Sequence, residues 1–69
     1  MKLHKRIAGK INHTDIVIRV VDSTEPDEII VKVYINNEHI EVQDYFTDSL
    51  QDAISTASEM FLHLIKTNM

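Results

Sequence analysis

Four histidines and eleven carboxylates are the side chains of this 69-residue sequence that could bind a metal ion or transfer a proton. Two metal ligands on one helix face lie three or four residues apart, and no two of the histidines have that spacing. His63 follows Glu59 by four residues, which is typical of a surface pair on a helix. The spacing predicts no metal site and no cofactor. The four histidines are His4, His13, His39 and His63.

Nucleophilic and phosphate-binding motifs do not occur in the sequence either. It has no cysteine, no HExxH and no Gly-x-Ser-x-Gly, and its single glycine, Gly9, cannot form a phosphate-cradling loop. The acidic run Glu25-Pro26-Asp27-Glu28 lacks the spacing of a calcium loop and is typical of a solvated connector. We therefore expect a protein that is not an enzyme and has no catalytic residues.

The length of the chain predicts a single domain over residues 1–69. The sequence contains no cysteine that could form a disulfide. It also contains no apolar run long enough for a signal peptide or a membrane span, which favours a cytoplasmic protein. A domain of this size has a small core that association would stabilise, so a homodimer is one alternative.

Charge is distributed unevenly along the chain. The net charge is −4, but the first 14 residues carry +4 and the remainder carries −8, from three basic and eleven acidic residues. This asymmetry predicts a surface with one basic and one acidic side. The basic residues of the first segment are Lys2, Lys5, Arg6 and Lys10.

Alternation of apolar and polar residues predicts strands over about residues 3–11, 15–22, 28–35 and 39–43. The pairs Asn12-His13 and Asn36-Asn37 have the composition of tight turns. One parity of each strand is predicted to face a core. These positions are Leu3, Ile7, Ile11, Ile16, Ile18, Val20, Ile29, Val31, Val33, Ile35, Ile40 and Val42.

A C-terminal helix is predicted over about residues 48–67, with Asp48 and Gln51 as a capping box. The fold class is therefore α+β: a three- to four-stranded antiparallel sheet, in the order β-β-β-(β)-α, packed on one face by a single amphipathic helix. Leu62 lies outside the apolar stripe, either as an ordinary exposed leucine or as a secondary contact to a partner. The stripe consists of Leu50, Ala53, Ile54, Ala57, Met60, Phe61, Leu64 and Ile65.

One helix covers one face of a sheet, so the predicted binding surface is the other face or an edge of the sheet, and a homodimer is more plausible through an edge strand. The uncovered face combines basic residues with an apolar centre, and an acidic protein surface would match its charge. Two alternatives stay open: an ordinary solvated face, and a nucleic-acid site in which Tyr34 stacks on a base. The predicted partner-binding residues are Arg6, Lys10, Val17, Arg19, Val21, Ile30, Lys32 and Tyr34, and the same parity adds His4 and Ala8.

A resemblance to HicB-like antitoxins lies at the start of the helix, in Asp48-Ser49-Leu50-Gln51-Asp52-Ala53-Ile54-Ser55-Thr56-Ala57. In that family a strand is followed by Asp-Thr-Leu-x-x-Ala and a helix with alanines four residues apart. The same segment is similar to the helix start of small phage-encoded proteins, including some anti-CRISPR inhibitors. The resemblance implies a small regulator or inhibitor, encoded by a phage or mobile element, that acts by protein contact.

Overall fold

Three long strands form where β-branched residues are dense: β1 (Leu3–Ile11), β2 (Thr14–Asp22) and β3 (Ile29–Ile35). They are successive antiparallel neighbours in the computed structural model, which describes residues 2–67. The predicted α+β fold, an antiparallel sheet with one C-terminal helix, is confirmed.

The connections from β1 to β2 and from β3 to the next strand each turn through two residues with positive φ, which is the geometry of a type I′ turn. Asparagine tolerates this left-handed region because its short polar side chain can bond to the local backbone. Both predicted turns are confirmed, with φ of 49° at Asn12, 66° at His13, 51° at Asn36 and 69° at Asn37.

The predicted fourth strand, over residues 39–43, is wrong. β4 (Glu38–His39) has only two residues, and Glu41–Gln43 forms a 3₁₀ turn. Val42, predicted to face the core, is on this turn and has 90% of its surface exposed. Alternation of Ile40 and Val42 resembled a strand, but two apolar residues are too short a pattern to distinguish a strand from a turn.

A further strand, β5 (Tyr45–Thr47), follows the 3₁₀ turn and pairs with Ile29–Val31 of β3. β4 and β5 therefore share one edge of β3, and the turn between them bulges outward. A contact between His39 Nε2 and Asp44 Oδ1, 2.8 Å apart, closes the base of this turn. The strand order is β1-β2-β3-β4, and β5 also pairs with β3.

The helix, α1 (Leu50–Thr67), begins two residues later than predicted. Its N-cap is Ser49, whose Oγ accepts a hydrogen bond of 3.2 Å from the backbone N–H of Asp52. The expected capping box of Asp48 and Gln51 is therefore wrong by one residue. Ser49 is the N-cap because α1 begins at Leu50, which brings the free N–H of Asp52 within hydrogen-bond distance of the Ser49 Oγ.

The core lies between α1 and one face of the sheet. Ala53 and Ala57 have no exposed surface and let the helix approach the strands closely. The strand residues beneath them have the predicted parity and are equally buried, namely Ile16, Ile18, Val20, Val31 and Val33. No helix within residues 2–67 is long and apolar enough to cross a membrane.

A β-bulge near the start of β1 changes the predicted parity. Leu3 is opposite Val21 while Lys5 is opposite Val20, so β1 has one extra residue here. Leu3, predicted to face the core, moves to the helix-free face. His4, predicted on that face, moves to the helix side, where its Nε2 lies 2.6 Å from Asp22 Oδ1.

Candidate binding face

The sheet face opposite α1, here called the open face, is ordered into transverse rows by the strand register. Neighbouring strands lie about 5 Å apart, so residues in register form lines across the sheet. Arg6 is opposite Arg19, and Arg19 is opposite Lys32. These three residues, here called the cationic row, come from three different strands and were all predicted on this face.

Within residues 2–67, the cationic row has no acidic residue paired with it. Arg6 and Arg19 are exposed and Lys32 is half-buried. None of the three forms an ion pair with another residue in the described range 2–67. Like charges directly opposite each other on adjacent strands destabilise a sheet, and Arg19 has a cation on each side. The centre of the open face thus carries three positive charges that no ion pair within residues 2–67 neutralises.

An apolar row lies beside the cationic row. Leu3, Val21, Ile30 and Phe46 are successive partners in register across four strands. Val21 and Ile30 are on the predicted face, but each is only 5% exposed, contrary to the exposure expected of them. Leu3 and Phe46, at the two ends of the row, are 44% and 54% exposed. The accessible apolar surface therefore belongs to Leu3 and Phe46, neither of which was predicted on this face.

A third row carries the aromatic rings. Ala8, Val17 and Tyr34 are in register, and Tyr34 is opposite His39 on β4. The rings of Tyr34 and His39 are 5.2 Å apart between centroids and tilted by 30°. The sequence indicated Tyr34 as the only ring on this face, and the register adds His39 as its neighbour.

Lys10, the remaining predicted basic residue of the face, differs from the cationic row because it is opposite an acidic residue. Its Nζ lies 3.9 Å from Asp15 Oδ1, and both side chains are more than half exposed. Such an exposed pair adds little stability, but it lowers the local positive charge. The positive centre of the face is therefore the cationic row rather than Lys10.

Several shallow grooves run over the open face, and two of them are bounded by both Arg19 and Tyr34. One of about 330 Å³ also has Arg6, Val17 and Asn37 in its walls. The second, of about 100 Å³, lies over Leu3, Val21 and Lys32. Neither encloses a ligand, so the face suits an extended or flat partner better than a small molecule.

A further groove, of about 550 Å³, lies at the acidic connector between β2 and β3. His4 Nε2 bonds to Asp22 at its edge, and this hydrogen bond lowers the pKa of Asp22 below its ordinary value of 3.8. No three histidine or carboxylate groups within residues 2–67 converge to hold a metal ion. Charge on this side of the molecule is negative, opposite to that of the open face.

Leu62, the predicted secondary contact, is 59% exposed and lies outside the packed stripe of α1.

Comparisons with protein-family models, characterised proteins and solved structures give no significant match. The arrangement of the open face is therefore what any functional proposal for this chain must explain.

Proposed function

We propose that this chain is a small non-catalytic protein-binding module, a cytoplasmic regulator or inhibitor whose open face binds an acidic surface of a partner protein. The observation that supports the proposal is the cationic row, which lies at the centre of the face with no ion pair among the described residues. Opposite charges across an interface accelerate encounter and fix the orientation of the partners.

The fold itself gains nothing from the cationic row. A cross-strand pair contributes roughly 0.2–1 kcal/mol, with a sign that depends on the charges. One acidic residue in place of Arg19 would convert two repulsive pairs into two attractive ones. A surface charge that lowers stability is typical of a residue kept for binding.

The rows on either side of the cationic row would add apolar and aromatic contacts to its electrostatic attraction. Leu3 and Phe46 offer apolar surface on one side, and Tyr34 offers a ring on the other. Tyrosine and arginine are enriched among the residues that dominate interface energies. The partner is therefore expected to present carboxylates flanked by apolar side chains. The resemblance of residues 48–57 to antitoxins and phage inhibitors implies the same mode of action.

A second copy of the chain fits the open face poorly. A symmetric contact through this face would place the cationic row of one protomer against that of the other. No carboxylate lies on the row to offset that repulsion. The partner we propose is for this reason a different protein.

The proposal is tested by reversing the charge of Arg19. Arg19→Glu and Lys66→Glu change the net charge equally, and Lys66 lies in the last turn of α1, away from the open face. A partner captured with the wild-type chain from the cells that express it is titrated against both variants. We expect Arg19→Glu to weaken binding by at least about tenfold and Lys66→Glu to leave it within about twofold. Equal binding by both variants would contradict the proposal.

Single-stranded nucleic acid is the second candidate, favoured by the ring pair of Tyr34 and His39 next to the cationic row. Three phosphate contacts would give a slope of about −2 for the logarithm of affinity against the logarithm of salt concentration. Oligothymidylate is the probe, and titration at several salt concentrations gives the slope. A flat response, or no binding at low salt, would exclude this candidate.

A further inference from the structure

The two edges of the sheet differ in continuity. On one side β4 and β5 have two and three residues and are separated by the 3₁₀ turn, so they present no continuous edge. On the other side β1 has nine residues, and among residues 2–67 no strand pairs with its outer edge. The bulge near His4 confines the regular part of this edge to residues 5–11. An open edge of this length is a template for a further strand.

Two hydrogen bonds establish which backbone groups of β1 point outward. The N–H of Asn36 donates to the carbonyl of Asp15 (2.8 Å), and the N–H of Asp22 donates to the carbonyl of Lys2 (3.0 Å). Odd-numbered residues of β2 therefore bond toward β3, and even-numbered residues bond toward β1, because successive residues of a strand point to opposite sides. Ile7 and Gly9 of β1 are opposite the even-numbered residues Ile18 and Ile16. Their backbone N–H and C=O groups therefore point toward β2.

Alternate residues of β1 accordingly point their backbone N–H and C=O groups away from the sheet. They are Arg6, Ala8 and Lys10. Each offers one donor and one acceptor to an added strand, and backbone pairing of this kind supplies affinity in many peptide-binding domains.

The side chains along this edge favour an added strand of negative charge. Lys5, Arg6 and Lys10 lie on β1, and the strand contains no acidic residue. The side chains of Arg6 and Lys10 are on the open-face side, where directly opposed cross-strand residues lie within about 5.5 Å. A strand with carboxylates at every second position would pair with both cations.

Apart from Lys5, the helix side of the same edge is apolar. Phe61 lies over β1, with its Cζ 2.6 Å from the position that a Cβ on Gly9 would occupy. Ile54 and Ile65, seven residues before and four after Phe61, share its side of α1, and all three are half-buried. An added strand would bring its helix-side residues next to this flank, where apolar side chains would gain burial.

We infer that β1 accepts an extended, acidic peptide segment as an additional strand, with alternating carboxylate and apolar residues. A second copy of β1 does not suit this edge, because two such strands would oppose lysine and arginine to lysine and arginine. The inference concerns backbone pairing at an edge and does not require Arg19 or Lys32, so it can hold or fail independently of the function proposed for the open face.

The probe is an acetylated, amidated eight-residue peptide alternating glutamate and valine, and the control is the same peptide with lysine for glutamate. Amide hydrogen exchange is followed by NMR on the complete chain. We expect the glutamate peptide to slow exchange at Arg6, Ala8 and Lys10 by at least about tenfold, and the lysine peptide to leave these amides unchanged. Equal slowing by both peptides would overturn the charge specification.

Ala8→Pro removes an outward N–H without breaking a bond to β2, and Ala8→Val keeps that N–H. The proline variant loses one backbone hydrogen bond to the peptide, and the proline ring prevents the peptide from approaching β1 closely. It should therefore bind the glutamate peptide about tenfold more weakly, whereas Ala8→Val should not weaken binding. Should the proline variant unfold, two N-methylated peptides replace it, each methylated at alternate positions. One methylation pattern should abolish binding and the other preserve it; equal effects would overturn strand addition.

The variant Arg19→Ala with Lys32→Ala separates the edge from the open face. Slowed exchange at the outward amides of β1 should persist in this variant. If, in the wild-type chain, the glutamate peptide instead shifts the resonances of Arg19, Lys32 and Tyr34 and leaves the β1 amides unprotected, the peptide binds the open face and the edge proposal is wrong.

Discussion

The ring of Phe61 on α1 occupies the space where a side chain on Gly9 of β1 would lie. Phe61 Cζ is 2.6 Å from the ideal Cβ position at Gly9, and one Cε is 3.2 Å from it. Real Cβ atoms do not approach other atoms this closely. The only glycine of the chain is therefore needed for packing rather than for a turn, and it fixes how near the helix lies to the edge strand.

We predict that Gly9→Ala destabilises the fold through this contact. The added methyl group must displace the Phe61 ring, and such overpacking costs about 1–3 kcal/mol. In a Phe61→Leu background, which shortens the side chain, the same change should cost much less. Urea unfolding of the four variants measures the coupling, and additive effects would show that the two residues do not interact.

The cationic row predicts a gain in stability from a charge reversal. Arg19→Glu should raise the free energy of unfolding by about 0.5–1 kcal/mol, because two repulsive cross-strand pairs become attractive. The gain should shrink in high salt, since salt screens exposed charges. Lys66→Glu, the matched control, should give no gain. Unfolding in urea at low and high salt checks both expectations; an unchanged or lower stability for Arg19→Glu would argue against the repulsion.

The contact between Tyr45 and Asp52 connects β5 to the first turn of α1. The phenol donates a hydrogen bond of 2.7 Å to Asp52 Oδ2, which raises the pKa of Tyr45 above its ordinary value of 10.0. The protonated phenol is thus favoured in the folded state. Its contribution to stability is complete below 10.0 and is lost as pH rises through the higher folded pKa.

Ultraviolet titration checks this prediction in a Tyr34→Phe variant, in which Tyr45 is the remaining tyrosine. The phenol of Tyr45 should ionise above 10.0, and Asp52→Asn should bring its midpoint down toward that value. A midpoint that does not change on replacing Asp52 would show that the hydrogen bond is not formed in solution.

The pair of His4 and Asp22 gives stability at the opposite end of the pH scale. The hydrogen bond from His4 lowers the pKa of Asp22, so the stabilising carboxylate is fully present above 3.8 and is lost as pH falls through the lower folded pKa. Asp22→Asn should therefore reduce stability at about pH 5 and have a progressively smaller effect in stronger acid. Urea unfolding across this range measures the difference; a constant difference down to the most acidic point would contradict the assignment.

The parts of the fold that could be predicted from the sequence are those with long, regular patterns. Ile16, Ile18 and Val20 share one parity of a strand dense in β-branched residues, and the helical stripe around Ala53 and Ala57 spans five turns, so both elements and their core-facing sides could be predicted. Errors fall where a pattern is short. Ile40 and Val42 alternate only once, and the segment Glu41–Gln43, which contains Val42, forms a 3₁₀ turn through local backbone hydrogen bonds.

The open face shows the same division. Arg6, Arg19 and Lys32 were placed on it by parity, but their alignment in one row follows from register, which the sequence does not state. The bulge that brings Leu3 onto this face could not be predicted from the pattern, because Lys5 keeps the same parity as Ile7 and only the residues before it change sides. Tyr45-Phe46-Thr47 is rich in aromatic and β-branched residues and could have been predicted as a strand.

The most direct test of a binding open face is site-specific photo-cross-linking. Benzoylphenylalanine replaces Tyr34, the ring in the row beside the cationic row, and in a control it replaces Glu59 on the exposed side of α1. Both proteins are irradiated in the cells that express the chain, and the cross-linked species are identified by mass spectrometry. We predict an acidic protein cross-linked at position 34 and not at 59, which disappears when Arg19→Glu is added. The same products from both positions, or products that Arg19→Glu leaves unchanged, would contradict a binding role for the open face.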